Sequence, residues 1–484
     1  MENNEEHNRI EWTAEERESF FAAVERHQRA AWRVTLASSG VNALVAFIVA
    51  ALMAPLFYVL LSLVLDVINL IVPMPNLVAI LGGQIGPAFD HPETVSVGRW
   101  VYLLVLAALP GLVWMGIFLL VLRRAIGLSG LFGGGDIEAR APDATALPEQ
   151  RFANVVGEMA VAGNLPPPRV LISDRGGLNA AVFGVDEQHA TIVASRGLLD
   201  TLNREQMQGI AGHLVGSIAN GDMKIGVRVA ITLGLFGLIA RMAGVIMEGR
   251  AARQLGKRLL LGVVSPTAKN TRALLEEISD PFAPAEGDTR SDRAKRQAEN
   301  PKHNDWRTYL WMPLVGPLGM TGFFGALVNM FLLEPLVSLA WRRRKYMADA
   351  TAVRLTRLPD ALSGALEKMG SAAASLFGPY AAHLLVVRGP SRSSGLMGTS
   401  VVPPFPSIDR RLRALAKMGA TIRSTPQKKI PLLALAIGIP LGALVLVLVG
   451  VCLYLLVFLS MALSMLFLGL PFSIVHLLLR WLGH

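Results

Sequence analysis

Long apolar runs alternate with stretches of mixed polarity along this chain. Apolar residues dominate 34–72 and 100–122, then 225–247 and 310–340, and finally 430–482. Several of these runs reach the ~20 residues a helix needs to cross a hydrocarbon core of ~30 Å. Helices are the expected spanning element, because each satisfies its own backbone hydrogen bonds in lipid. The first two runs are joined by 73–98, which holds Pro and Gly but no Lys or Arg, and so predict a membrane hairpin. Arg26, Arg29 and Arg33 flank one end and Arg123 and Arg124 the other, so both ends are expected in the cytoplasm. The next two runs predict a second membrane pair, and 430–484 a tight C-terminal hairpin.

Between the runs the periodicity changes. Residues 152–162 repeat at helical spacing, Arg169–Ser173 and 190–194 are short and apolar like strands, and helices follow over 198–202 and from Arg204 to Asn220. The expected fold is an α-helical polytopic membrane protein with a mainly α (α+β) soluble domain split by a membrane helix pair. Residues 1–33 form a leader in which Thr13 and Glu16 make a capping-box pattern ahead of an amphipathic helix with Phe20, Phe21 and Val24. The first hairpin occupies 34–122 and the first half of the soluble domain 123–224. The second membrane pair, with a basic loop at 249–307, fills 225–341; the second half of the domain is 342–429, and the C-terminal hairpin 430–484. The mostly polar leader lacks a signal-peptide pattern, so the first membrane helix is expected to be an uncleaved anchor.

Composition points to lipid as part of the solvent: of 484 residues 52% are hydrophobic and 17% charged, with a mean hydropathy of +0.45. A formal net charge of +10 raises nucleic acid as a partner. The basic residues, however, sit beside apolar runs, as in Arg342-Arg343-Arg344-Lys345, and read as topology anchors, so no nucleic acid is expected. The single cysteine, Cys452, excludes an intrachain disulfide framework and a thiolate zinc cluster. One region opposes the simple topology: 249–307 holds twelve Lys/Arg, and Arg228 and Arg241 interrupt the run before it. Either 225–247 is an interfacial or re-entrant helix whose arginines face headgroups or protein, or the loop translocates despite its charge.

Candidate chemistry concentrates in one window. Gly197-Leu198-Leu199 and Glu205 lead into His213-Leu214-Val215-Gly216-Ser217, and Asn220-Gly221-Asp222 follows. This resembles the HtpX-like membrane zinc endopeptidases, HExxH enzymes related to the CAAX prenyl proteases, in which a "GLL..L...E" lead-in precedes an "AHExxHxxNGD" helix. Lys345-Tyr346-Met347-Ala348-Asp349 resembles the family's "E[FY]xAD", and the stretch from Ala352 to Met369 its "A..LTR.P..L..AL.K" pattern. Phe405-Pro406-Ser407 with Arg410-Arg411-Leu412 is similar to its "HPs...RI" segment, and Asn179-Ala180-Ala181 with Gly184 to its "NAFA.G" substrate-facing edge. The likeness covers 139–222 and 342–419, plus the placement of the membrane pairs.

In a working HExxH helix two histidines one turn apart bind zinc, and the glutamate after the first deprotonates the attacking water. The resemblance implies a third ligand, the glutamate of "E[FY]xAD". Here the base position is Leu214, the second histidine is Ser217 and the acid is Lys345, which leaves His213 alone. Leucine has no titratable group, a hydroxyl is a poor zinc ligand, and an ammonium repels a divalent cation. The chain is therefore expected to be a degenerate member with no catalytic residue, no bound zinc and no other cofactor. His213, Ser217 and Lys345 are expected to join Asp349, Asp222 and Asn220 in a metal-free polar cluster, with Asp349 paired to Lys345 and hydrogen-bonded to His213.

The resemblance implies a pseudoprotease in a bacterial-type inner membrane, multi-pass, its domain facing the cytoplasm. It would hold peptide or membrane-protein segments by strand addition at Asn179, Ala180, Ala181 and Gly184, in membrane-protein quality control. Such clients and the bilayer are the expected partners. Two other readings stand beside it: an active zinc endopeptidase in which His189, His303 or His383 joins His213, and a membrane scaffold or transporter-like protein.

Overall fold

The computed structural model describes residues 9–10, 18–69, 91–128, 139–174, 177–184, 186–228, 249–279, 334–372, 385–387 and 405–423, with isolated positions among 72–87 and at 231, 238 and 241. The capping pattern at Thr13 and Glu16, the candidate ligands His303 and His383, and the C-terminal hairpin at 430–484 lie outside these residues. The described elements are, in chain order, β1 (Arg9–Ile10), α1 (Phe20–Asn69), α2 (Val97–Leu128), α3 (Leu147–Ala162), β2 (Arg169–Ser173), β3 (Ala180–Phe183) and β4 (Thr191–Ser195). There follow α4 (Arg196–Thr201), α5 (Arg204–Ala219), α6 (Gly249–Val264), α7 (Ala268–Ser279), α8 (Glu334–Thr356), α9 (Pro359–Ala372), α10 (Ile408–Lys417) and β5 (Ile422–Arg423).

The protein is mostly helical around a small sheet. α1 runs unbroken from the polar leader into the first apolar run, so the division expected between 33 and 34 is a change of composition within one helix. α2 crosses α1 in the antiparallel sense, so close at Gly111 that an added Cβ would collide with the Ala50 carbonyl. Pro110 lies inside α2 and has no N–H to offer the carbonyl four residues back, and the Tyr58 hydroxyl donates to that carbonyl, Leu106 O. Among the described residues no single helix is long and apolar enough to cross a membrane; a pair with that length and composition, Val97–Leu103 and Ala108–Arg124, is bent by 49°.

The sheet has the order β2-β4-β3, with β2 parallel to β4 and β3 antiparallel to it, Ala180 lying opposite Ala194. Side chains alternate between its faces, as the two-residue period of a strand requires. Ile172, Ala180, Val182, Ile192 and Ala194 face a core shared with α3, α5, α8, α9 and α10. Leu171, Ala181, Phe183 and Val193 face a second core with Leu255, Leu274, Ile278, Trp341 and Phe405. Burial on both faces accounts for the near-continuous apolar character of these strands. In α3 the stripe Phe152, Val155, Val156 and Met159 keeps the spacing of one helical face, and all four are buried.

α5 is the central helix. Asn203 caps it, accepting from Gln206 N while the Gln206 side chain returns to the Asn203 backbone. From Met207 to Ile218 almost every residue is buried. Gly209, Gly212 and Gly216 let neighbouring helices close in: an added Cβ would come within 2.6 Å of Leu362 N at Gly209 and 3.1 Å of Ala348 O at Gly216. This close approach of α5 and α8 sets His213 against Asp349. At the domain's edge β1 pairs antiparallel with β5, a long-range contact absent from the expectations above.

Candidate functional site

His213 is completely buried, with Nδ1 2.7 Å from Asp349 Oδ1. The carboxylate lies off the line of a good hydrogen bond, and neither ring nitrogen has a hydrogen-bond partner. Asp349 is instead gripped by Arg411 of α10, whose Nε and Nη2 donate to its two oxygens at 2.8 and 2.6 Å. A planar guanidinium matches both oxygens at once, whereas an ammonium would satisfy one. Arg411 uses Nη1 to reach Val386 O at 2.7 Å. Lys345, one turn before Asp349 on α8, donates from Nζ to Leu385 O at 2.6 Å, with the Phe405 ring centroid 5.4 Å away. On the other flank Arg344 donates from Nε to Asp222 Oδ1 and from Nη2 to Asn220 O. Asn220 Nδ2 reaches Thr351 Oγ1 at 3.4 Å, and Asp222 Oδ2 has no partner. Ser217 is buried one turn after His213, beside Asp222.

The helices thus bring together His213, Ser217, Asn220, Asp222, Lys345 and Asp349, with three departures from expectation, the first being that His213 and Asp349 are in close contact without the expected hydrogen bond. The pairing of Lys345 with Asp349 is replaced by the Arg411 fork. Arg411, which the motif pattern alone leaves without a role, faces inward in phase with the buried Leu412, Leu415 and Ala416. The run Arg342-Arg343-Arg344-Lys345, expected to anchor topology, splits by helical phase. Arg343 is exposed, while Arg344 and Lys345 are buried in the ionic cluster.

The edge at Asn179, Ala180 and Ala181 is occupied by the chain itself. Ala181 bridges Leu385 in the antiparallel sense, and Val386 N donates to Ala180 O at 2.9 Å. Asn179 Nδ2 donates to Val387 O at 2.8 Å, and Asn179 Oδ1 accepts from Val387 N at 3.3 Å. Gly184 ends the strand at φ +151°, where an added Cβ would meet His189 O at 2.7 Å. His189 itself is exposed and engages Asp186, apart from the buried cluster.

Burial sets the protonation states. It pushes the His213 imidazole down to about 4, outweighing the neighbouring Asp349 carboxylate, so the ring is neutral at pH 7. Burial lowers Lys345 to about 8 against the attraction of Asp222, and raises Asp222 above its ordinary value against Arg344 and Lys345. Burial also opposes the charge on Asp349, but the Arg411 guanidinium holds it well below the usual carboxylate range.

Residues 146–280 match the model of Peptidase family M48. The chain is also similar to curated proteins named protease HtpX homolog. It is 27% identical over 272 residues to one from Dictyoglomus turgidum, covering 55% of this chain and 68% of that one. It is 26% identical over 347 residues to one from Streptococcus pneumoniae and 28% over 353 to one from Streptococcus thermophilus, each match covering 68% of this chain and 99% of the relative. These matches support an HtpX-like member of peptidase family M48. No solved structure matches it.

The zinc ion implied by the HtpX resemblance can be tested against the residues in place. His213 is the one family ligand position that keeps a donor suited to zinc; the other positions of the family pattern hold Leu214, Ser217 and Lys345. Among the described residues no group of three or more His, Cys, Asp or Glu is placed to hold a metal. Asp349, the nearest carboxylate to His213, has both oxygens taken by Arg411. This donor set does not fit zinc.

Proposed function

We propose that this HtpX-like chain is a pseudoprotease of the membrane, holding peptide or membrane-protein segments for quality control without cutting them, its domain facing the cytoplasm. The observation that carries the reading is the replacement at Lys345. Where the family pattern has a metal-binding acid, a buried cation donates to a backbone carbonyl of the segment 385–387, which bridges the β3 edge. The apolar runs of the chain support a membrane setting. The segment 385–387 supports the holding role, since a client strand would take the place it occupies: backbone pairing with Ala180 and Ala181, and carbonyls held by Lys345 and Arg411. A client would compete with this internal segment.

Peptide binding tests the proposal. With the full chain in detergent, a fluorescent, extended apolar peptide should bind and remain intact. Val386→Pro removes the donor to Ala180 O and should tighten binding about tenfold, ~1.4 kcal/mol, by loosening the competitor. Cleavage of the peptide, or an affinity indifferent to Val386→Pro, would contradict it.

A further inference from the structure

The hairpin of α6 and α7 plays no part in the site described above. Its inner face is fixed: Leu255, Leu274, Leu275 and Ile278 pack in one core with Leu171, Phe183 and Val193 of the sheet and Leu122 of α2. Glu277 fastens it further, accepting from Arg241 through one oxygen and from Arg258 through the other. Because hairpin and sheet share a core, both stand on the same side of any bilayer, which accounts for a basic loop that the positive-inside rule keeps in the cytoplasm.

Its outer face is unusual for a surface in water. Leu260, Leu261, Val263 and Val264 are 63%, 37%, 48% and 73% exposed at the C-terminal end of α6, just before the turn to α7. Arg253 and Lys257 are also exposed and lie on the stripe that continues to Leu260 and Val264, since the spacing of four, three and four residues keeps one helical face. α6 contains no Asp or Glu. Lys269 is exposed at the start of α7.

We propose that this tip docks on an anionic lipid surface, with Leu260, Leu261, Val263 and Val264 entering the boundary between headgroups and acyl chains and Arg253, Lys257 and Lys269 meeting lipid phosphates. The seven-residue step from Lys257 to Val264 is ~10 Å along a helix, comparable with the ~5–10 Å depth of an interfacial apolar face. The patch also sits beside the right neighbour. Leu122, in the core that holds the hairpin, lies in the bent apolar pair of α2, next to Arg123 and Arg124. A second copy of the chain is the poorer occupant, because a two-fold contact through this stripe would cover Arg253 and Lys257 with no carboxylate of α6 to pair them.

Depth-resolved fluorescence on the full chain in nanodiscs tests the proposal. In a Cys452→Ser background, an environment-sensitive probe is attached at Val264→Cys, at Lys257→Cys or at the exposed control Val161→Cys. Discs contain phosphatidylcholine alone or with phosphatidylglycerol. In anionic discs the probe at 264 should be quenched by lipids brominated high on the acyl chain and be severalfold less sensitive to aqueous iodide than the probe at 161. The probe at 257 should escape the brominated lipids, and Arg253→Glu/Lys257→Glu should return the 264 probe toward water. Equal iodide access at 264 and 161 in anionic discs would overturn the proposal. So would protection at 264 that persists in detergent and tracks crosslinking between two chains.

Discussion

The chain buries two ionic clusters, and they are built differently. In the hairpin cluster one carboxylate, Glu277, stands between Arg241 and Arg258, and each oxygen has its own guanidinium. The site cluster gathers Arg411, Arg344 and Lys345 around Asp349 and Asp222, yet leaves the His213 ring and Asp222 Oδ2 without hydrogen-bond partners and directs Lys345 and Arg411 onto backbone carbonyls. A fastener selected for its own sake satisfies its members; orphaned polar atoms in a buried network are costly and call for another reason. On the pseudoprotease reading proposed above the reason is inheritance: α5 and α8 converge as the zinc-peptidase resemblance implies, while Lys345 and Arg411 hold carbonyls of the segment 385–387.

The comparison can be broken at its strongest point first. Arg411→Leu strands the Asp349 carboxylate in a fully buried site and should cost about 3–5 kcal/mol in denaturant unfolding. Arg411→Lys should recover part of the loss, and a cost under about 1 kcal/mol would show that Arg411 is not the anchor. Glu277→Gln should cost less, roughly 2–3 kcal/mol, because Arg258 is partly exposed and can turn to water. Limited proteolysis should then cut within 249–279 while peptide binding at the β3 edge stays unchanged; altered binding would mean that the two clusters are coupled.

Acid sharpens the contrast. His213 and His27 both have pKa values held near 4 by burial, whereas an unfolded imidazole takes its proton near 6.5. Over that window the unfolded chain binds more protons, so stability falls as the pH drops from 6.5 to 4, by about 1.4 kcal/mol per unit for each histidine. His213→Asn should remove one proton from the slope of stability against pH, and an unchanged slope would place the titration elsewhere. The smallest effect belongs to Lys345→Met. It removes one hydrogen bond to Leu385 O together with one buried charge, and should change stability by about 1 kcal/mol or less while raising peptide affinity. A large destabilisation would make Lys345 a structural keystone instead of a clasp on the internal segment.

Local signals read well from sequence. The 3.6-residue stripe of α3, the short apolar β2 and β4, and the run from Arg204 to Asn220 appear in the structure within a few residues of their expected bounds. His213 and Asp349 also lie 2.7 Å apart, on helix faces whose phase the sequence fixes, though without the hydrogen bond expected between them. Three features were hidden for physical reasons. α1 continues through the polarity change after residue 33, and composition marks solvent, not the end of a helix. The segment 385–387 bridges β3 across some two hundred residues, and so short a segment carries no periodicity of its own. Which of the basic residues Arg344, Lys345 and Arg411 would be buried depended on helix phase, which a reading of charge runs as anchors overlooked.

The central claim is that an M48 scaffold persists here without its metal chemistry. Its most direct test is zinc content and casein cleavage, measured side by side on the unaltered full chain and on Leu214→Glu/Ser217→His/Lys345→Glu after purification in detergent. The account predicts substoichiometric zinc and no chelator-sensitive cleavage for the unaltered chain, with zinc uptake confined to the variant. Stoichiometric zinc and chelator-sensitive cleavage by the unaltered chain would contradict it.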